Sequence, residues 1–187
     1  MKRILILVLC SLAAFYGCKC QKKAPAEPQP QVQKETCLTT ISRYMTGIGS
    51  QYLQGEHCIP YSLIVAADTT DAGDIKVWGD FWVENYSQSG DTLKSVSGGS
   101  HPGCIHLKKT DDGYSLPDFE AVGDGSDFNP TAKAIFGDLY DSFIALSSSD
   151  DAKKAARMKS IIEYAAANDL QVSFYQDYGW PPVKLEQ

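Results

Sequence analysis

The segment from Gly98 to Gly103 places a histidine and a serine where acid–base chemistry could occur. It reads GGSHPG and is predicted to form a glycine-rich corner between two strands, in which His101 lies at an exposed bend beside Ser100. Histidine titrates near neutral pH, which makes His101 a candidate general base or a hydrogen-bond donor to a ligand. Asp80 and Glu84 are carboxylates that could assist it, although no spacing defines a catalytic triad. The alternative is a long turn whose histidine bonds locally, so no catalytic residue is assigned.

A second candidate site is an aromatic stripe in residues 75–86, where polarity alternates. The even positions include Trp78, Trp82 and Tyr86 among charged residues, and the odd positions are mostly apolar. Period-two alternation predicts a strand with one face on the core. If the other face is open, aromatics beside carboxylates are typical of a peptide- or sugar-binding surface. Alternatively, the C-terminal helices or the aromatic tail at 178–180 cover this face as a second core.

The cysteines and histidines offer little for metal binding. Cys104 and His106 share a strand face and could hold a soft metal, but two further ligands are needed. No CxxC pair or zinc-type Cys/His spacing is present. We therefore expect no metal and no cofactor. An oxidising export route would permit one disulfide, whereas burial as free thiols is the commoner fate of such cysteines: Cys37, Cys58 and Cys104.

The chain begins with the pattern of a secretion signal. Lys2 and Arg3 supply positive charge, and an aliphatic run from residue 4 to residue 9 leads to Gly17 and Cys18. This apolar stretch is shorter than the roughly 20 residues that cross a bilayer as a helix. Residues 1–17 are therefore predicted to be a signal peptide.

A cysteine directly after a small residue at this place resembles the lipobox of bacterial lipoproteins. The resemblance implies diacylglyceryl transfer to the thiol of Cys18, cleavage after Gly17 and acylation of the new amino group. Phe15 and Tyr16 are bulkier than usual, which is similar to the loose lipoboxes of Bacteroidota. Each buried methylene contributes about 0.8 kcal/mol, so several acyl chains on Cys18 would hold the protein at a membrane. We expect the cell envelope, and the outer rather than the inner membrane, with the domain periplasmic or surface-exposed.

Composition divides the rest of the chain in two. Residues 18–35 are rich in proline, glutamine and lysine and are predicted to be a lipidated flexible tether. Residues 36–187 suit a single domain and carry 11 Lys and Arg against 21 Asp and Glu, a net charge of −10. Such a charge argues against nucleic acid as a partner. The expected partners are membrane lipid, through acylated Cys18, and an envelope protein, peptide or glycan.

Periodicity and turn signals predict an α+β domain. An N-terminal helix is expected to pack on a curved antiparallel sheet of about four to five strands, followed by two C-terminal helices. By element order alone, residues 36–122 resemble cystatin-like and nuclear-transport-factor-like sheets, in which a sheet wraps one helix. No cystatin inhibitory loop motif is present, so protease inhibition is not implied. The predicted segments are a helix at 38–52, strands at 58–67, 75–86, 92–97 and 104–110, an extended stretch at 114–122, helices at 130–146 and 150–167, and a candidate last strand at 171–175.

Two hypotheses about function follow from these patterns. The first is a membrane-anchored, non-enzymatic binding module that uses Trp78, Trp82 and Tyr86 together with Ser100 and His101. The alternative is an envelope hydrolase or accessory enzyme in which His101 works with a nearby carboxylate. The first requires an open aromatic face, and the second requires a carboxylate within hydrogen-bond reach of His101.

Overall fold

The computed structural model describes residues 35–186 and shows an α+β fold built on an open, mixed sheet of six strands. The predicted signal peptide, Cys18 and almost all of the predicted tether lie outside the described residues. Within them the elements are, in chain order, α1 (Cys37–Gly49), β1 (His57–Asp68), β2 (Ile75–Ser89), β3 (Thr92–Thr110), β4 (Gly113–Ala121), α2 (Phe128–Phe136), α3 (Tyr140–Ser147), α4 (Asp150–Ala167), β5 (Phe174–Gln176) and β6 (Val183–Lys184).

The sheet is mixed because one strand, β5, pairs with β3 in the parallel direction while the other pairs are antiparallel. Strands β1 to β4 form an antiparallel meander. The short β5 then runs parallel to β3 at residues 92–94, and β6 pairs antiparallel with β5. β4 pairs with β3 only from Gly103 to Thr110. The expectation of a purely antiparallel sheet of four to five strands is therefore corrected to six strands with one parallel pair.

The glycine-rich segment at 98–103 is part of a strand and not a corner, because β3 runs through it without interruption. Its glycines are required by close packing. A Cβ at Gly98 would collide with the Val83 carbonyl and the Glu84 carboxylate, and one at Gly103 would collide with the Glu120 carbonyl. Glycine is the residue that permits such backbone approach. The two strands predicted at 92–97 and 104–110 are thus one strand of 19 residues.

Helix α1 covers one face of the sheet. Its first turn is closed by a capping box, in which the Thr36 side chain accepts from the Thr39 N–H and the Thr39 side chain accepts from the Thr36 N–H. The helix packs on the odd positions of β2, as the period-two pattern predicts. The resulting core consists of Ile41, Met45, Ile75, Val77, Phe81, Val83, Ile105 and Leu107.

Three helices, and not the expected two, follow the meander and pack on the opposite face. The predicted helix at 130–146 is interrupted at Gly137, whose φ of 51° and ψ of −122° do not fit a helix. The chain therefore folds back between α2 and α3, and the rings of Phe136 and Phe143 stack with centroids 4.1 Å apart. Helix α4 starts as expected, with Ser149 capping the Ala152 N–H. The sheet is consequently covered on both faces.

Candidate functional site

The aromatic stripe of β2 lies beneath the C-terminal helices. The Trp78 Nε1–H donates to the Ile135 carbonyl at 3.0 Å, and its ring packs in the α2–α3 cluster. Trp82 stacks on Tyr61 with ring centroids 5.7 Å apart, and Tyr86 is fully buried. This face of β2 is therefore covered as a second core and is not open to solvent. The aromatic residues of β2 are a second core, and we no longer regard them as a binding surface.

His101 and the carboxylates of β2 lie on opposite faces of the sheet. His101 pairs with Phe81, and its Nε2 lies 3.0 Å from the Tyr52 Oη on the α1 side. Ser100 faces the other way and donates its hydroxyl to Asp80 Oδ1 at 2.5 Å. Neighbouring residues of a strand point to opposite faces, so one site cannot combine the two. Burial also lowers the pKa of His101, which disfavours its charged form.

The enzyme hypothesis therefore lacks the pair that it named. The described residues contain no hydrogen bond or ion pair between His101 and Asp80 or Glu84. Ser100 and His101, predicted as one exposed corner, are separated by the plane of the sheet. The two side chains are separated because residues 98–103 form part of strand β3 and not the turn that the glycine-rich sequence indicated.

The histidine that does contact carboxylates is His106. Its Nδ1 lies 2.6 Å from Asp74 Oδ1, and its Nε2 lies 3.4 Å from Glu120 Oε1. The hydrogen bond from His106 lowers the pKa of Asp74. Burial raises the pKa of the neighbouring Cys104 thiol to about 11, so this thiol is protonated at neutral pH and is a poor nucleophile or metal ligand.

No metal centre is found in residues 35–186, where no group of three or more His, Cys, Asp and Glu side chains is arranged to hold an ion. The pair of Cys104 and His106 thus has no further suitable ligands within that range. The three cysteines of the domain, Cys37, Cys58 and Cys104, are free thiols. Each is at least partly buried, and burial also raises the pKa of Cys58.

A buried polar network centred on Arg157 joins the sheet to the last turn of the chain. From α4, the guanidinium makes a bidentate ion pair with Asp177, with Nη1 at 3.0 Å and Nη2 at 2.7 Å from the carboxylate oxygens. Its Nε donates to the Tyr86 hydroxyl at 2.6 Å, and its Nη2 lies 3.9 Å from Glu84 Oε2. The same group lies over the Tyr175 ring, 4.6 Å from its centroid.

Glu84 is the buried anion of this network. Burial raises its pKa, and the positive charge of Arg157 opposes that increase. Ser95 on β3 donates its hydroxyl to Glu84 Oε2 at 3.2 Å. Arg157 therefore holds one buried and one partly exposed carboxylate, and the latter, Asp177, begins the turn between β5 and β6.

This turn, residues 177–180, exposes two large aromatic side chains and is called the aromatic turn below. Tyr178 is 97% exposed and Trp180 is 71% exposed. The Trp180 N–H donates to the Asp177 carbonyl at 3.1 Å, and Gly179 adopts a φ of 78°, which a type II turn requires at its third residue. The Gln176 side-chain amide donates to the Trp180 carbonyl at 2.8 Å. Backbone and side-chain bonds thus fix the turn.

A small cavity of about 220 Å³ opens beside the aromatic turn. Ser95 connects it to the Glu84–Arg157 network behind it. Its lining residues are Lys94, Ser95, Gln176, Asp177, Tyr178 and Gly179.

This site was not predicted from the sequence. From the sequence, Tyr178 and Trp180 are expected only to cover β2, and no role is indicated for Arg157. The sequence DYGWPP, a turn signal containing two aromatics and followed by two prolines, is the local feature that could have indicated it.

No family model, curated protein or solved structure matches the chain. The likeness to bacterial lipoproteins and to cystatin-like sheets thus stays an expectation from the sequence. Across residues 35–186, none of the helices is both long and apolar enough to span a bilayer.

Proposed function

We propose that the protein is a membrane-anchored, non-enzymatic binding module of the bacterial cell envelope, and that the aromatic turn is its ligand-binding surface. The observation that carries this proposal is the exposure of Tyr178 and Trp180 on a turn that is held by an ion pair between its Asp177 and the buried Arg157. The proposal replaces the aromatic face of β2 with a different surface of the same domain.

These two side chains are far more exposed than the other large aromatic side chains of the domain. Tyr86, Phe81 and Phe143 are buried, and Trp78 and Trp82 are largely covered. Tyrosine and tryptophan are enriched among the residues that dominate binding energy at interfaces. Two of them projecting from a four-residue turn, next to a cavity, form an exposed apolar surface of the kind that marks interaction sites.

The Arg157–Asp177 pair supports a binding role because it makes the turn rigid. Burying an ion pair contributes little net stability, since desolvation of the charges offsets their attraction. Its structural effect here is to orient the turn from α4 with two parallel hydrogen bonds. A surface held in one conformation loses less entropy when it binds. The network is thus suited to preorganising Tyr178 and Trp180.

The anchor would determine where this surface acts. Acyl chains on Cys18 would keep the module at the membrane, and the proline-rich residues 18–35 would serve as the tether. A domain of net charge −10 would be repelled by anionic head groups, which favours a ligand away from the bilayer surface.

Site-specific photo-crosslinking in the native cells tests the proposal. A photoreactive phenylalanine analogue replaces Tyr178 or Trp180 in the full chain. Leu53 is the control because it is as exposed as Trp180, at 71%, on another part of the surface. We expect ultraviolet-dependent adducts from positions 178 and 180 and none from position 53. Absence of adducts from the turn, or equal yield from position 53, would overturn the proposal.

A further inference from the structure

We infer that the cavity beside the aromatic turn binds an uncharged sugar unit of an envelope glycan. This inference rests on the proposed function and specifies its ligand class. It follows from the size of the cavity, the chemistry of its lining and the charges around it.

The cavity is small enough for one unit of a larger ligand. Its volume of about 220 Å³ lies below the roughly 300–1,000 Å³ of pockets that enclose drug-sized molecules. Tyr178 and Trp180 project beyond it and would contact neighbouring units. A chain of repeated small units, with one of them inserted, fits this geometry.

The lining residues include one aromatic residue, the exposed Tyr178, and several polar residues, but no Ala, Val, Leu or Ile. The face of the Tyr178 ring is electron-rich and suits the polarised C–H bonds on one side of a pyranose. Lys94 supplies hydrogen-bond donors. Gln176 already donates through its nitrogen to Trp180 and retains its carbonyl oxygen as an acceptor. A ligand hydroxyl both donates and accepts, so this combination suits a polyhydroxylated ligand better than an apolar peptide side chain.

The charges around the cavity favour a neutral ligand. Two carboxylates, Asp177 and the buried Glu84, share Arg157, and Lys94 makes no ion pair within residues 35–186, so the four charges at and behind the cavity balance. A cationic ligand would therefore meet the Lys94 ammonium with no free carboxylate in the lining. A polyanion would be repelled by the surplus of acidic residues over the domain as a whole.

The chemical nature of the adduct formed at position 178 tests the ligand class. Adducts from the crosslinking experiment are treated with periodate, which cleaves the vicinal diols of sugars, and then with an aminooxy probe that labels the aldehydes produced. We expect an adduct that carries the probe only after periodate. The mass that the ligand adds to the peptide containing residue 178 should be unchanged by further protease digestion. An adduct that is protease-sensitive and unlabelled identifies a protein or peptide ligand and overturns the inference, while the proposed function stands. Absence of any adduct overturns the proposed function itself.

Binding to defined sugars provides the second measurement. The purified full chain in detergent is applied to an array of neutral and acidic oligosaccharides. We expect binding to a subset of the neutral ones, at least tenfold weaker for Tyr178→Ala, largely retained by Tyr178→Phe, which keeps the ring, and unchanged for Leu53→Ala. Binding only to acidic sugars, binding to no array member, or equal binding by Tyr178→Ala would each contradict the inference. Because Tyr178 and Leu53 are exposed, both alanine variants should fold normally.

Discussion

Replacing Arg157 by methionine removes the guanidinium that joins β2, α4 and the aromatic turn. Methionine retains a long unbranched side chain, so much of the contact with Tyr175 can persist. The variant loses two hydrogen bonds to Asp177 and one to the Tyr86 hydroxyl. It also leaves the Glu84 carboxylate buried without a nearby positive charge.

The expected loss of stability is large because the network is buried. The side chains of Arg157 and Glu84 are each only 11% exposed, whereas that of Asp177 is 43% exposed. Removing one partner of a buried pair costs about 3–5 kcal/mol, and the more exposed contact adds less. With a shift of about 2–4 °C per kcal/mol for a domain of this size, the Tm should fall by about 6–20 °C.

Thermal unfolding of the full chain, followed by circular dichroism, measures the effect. Lys159→Met is the matched control, because Lys159 lies on the same helix and its ion pair with Glu163 is exposed on both sides. It should change stability by no more than about 0.5 kcal/mol. The double variant Arg157→Met, Glu84→Gln should recover part of the loss, since it removes the uncompensated charge. A fall in Tm of less than about 2 °C for Arg157→Met would refute the role of this network.

Three further predictions concern a buried carboxylate, a glycine and the anchor. Burial raises the pKa of Asp80 in the folded state above its ordinary value of about 3.9. The stability that the protonated carboxyl contributes is therefore complete below about pH 3.9 and is lost as the pH rises through the folded-state pKa. Asp80→Asn should therefore gain stability relative to the wild type between pH 4 and pH 7, as urea unfolding across this range would show. Gly103→Ala should lower the free energy of unfolding by roughly 1–3 kcal/mol, because its Cβ would meet the Glu120 carbonyl in the neighbouring strand. Its urea midpoint should therefore be lower than that of the wild type. Cys18→Ser should abolish labelling by an alkyne fatty acid and release the protein from the membrane fraction.

The outcomes that would contradict these predictions are equally specific. A stability difference between Asp80→Asn and the wild type that is constant with pH would show that Asp80 is not desolvated in the folded state. Glu186→Gln, which alters an exposed carboxylate, is the control. Wild-type stability for Gly103→Ala would contradict the close approach of β3 and β4. Retained fatty-acid label in Cys18→Ser would show that another residue carries the lipid.

Local patterns predicted the elements whose signal lies within a few residues. The alternation in 75–86 correctly separated the two faces of β2, because a strand alternates whatever covers it. The start of α4 followed from Ser149 and the acidic residues after it. The left-handed residue that follows the helix is Asp169, with a φ of 54°.

Glycine was the main source of error, because it serves both turns and close packing. The glycines of 98–103 indicated a turn, whereas the groups that exclude a Cβ there, including the carbonyls of Val83 and Glu120, come from distant parts of the chain. Conversely, the apolar periodicity at 130–146 concealed the break at Gly137. No local pattern distinguishes these cases.

The candidate site was missed for a similar reason. Arg157 and Asp177 are 20 residues apart, on a helix and a turn, and their spacing matches no motif. Whether an aromatic residue is buried depends on the helices that cover it, so the stripe on β2 and the pair in the aromatic turn looked alike in the sequence. The structure distinguishes them by burial alone.

Hydroxyl-radical footprinting in intact cells tests the binding role of the aromatic turn most directly. Trp180 and Leu53 are equally exposed, at 71%, so each serves as a reference for the other. Oxidation of both residues is measured by mass spectrometry in native cells and in the purified full chain. If the aromatic turn binds a ligand, Trp180 should be protected in cells several-fold more than Leu53. Equal oxidation of Trp180 in cells and in the purified protein would contradict this binding role.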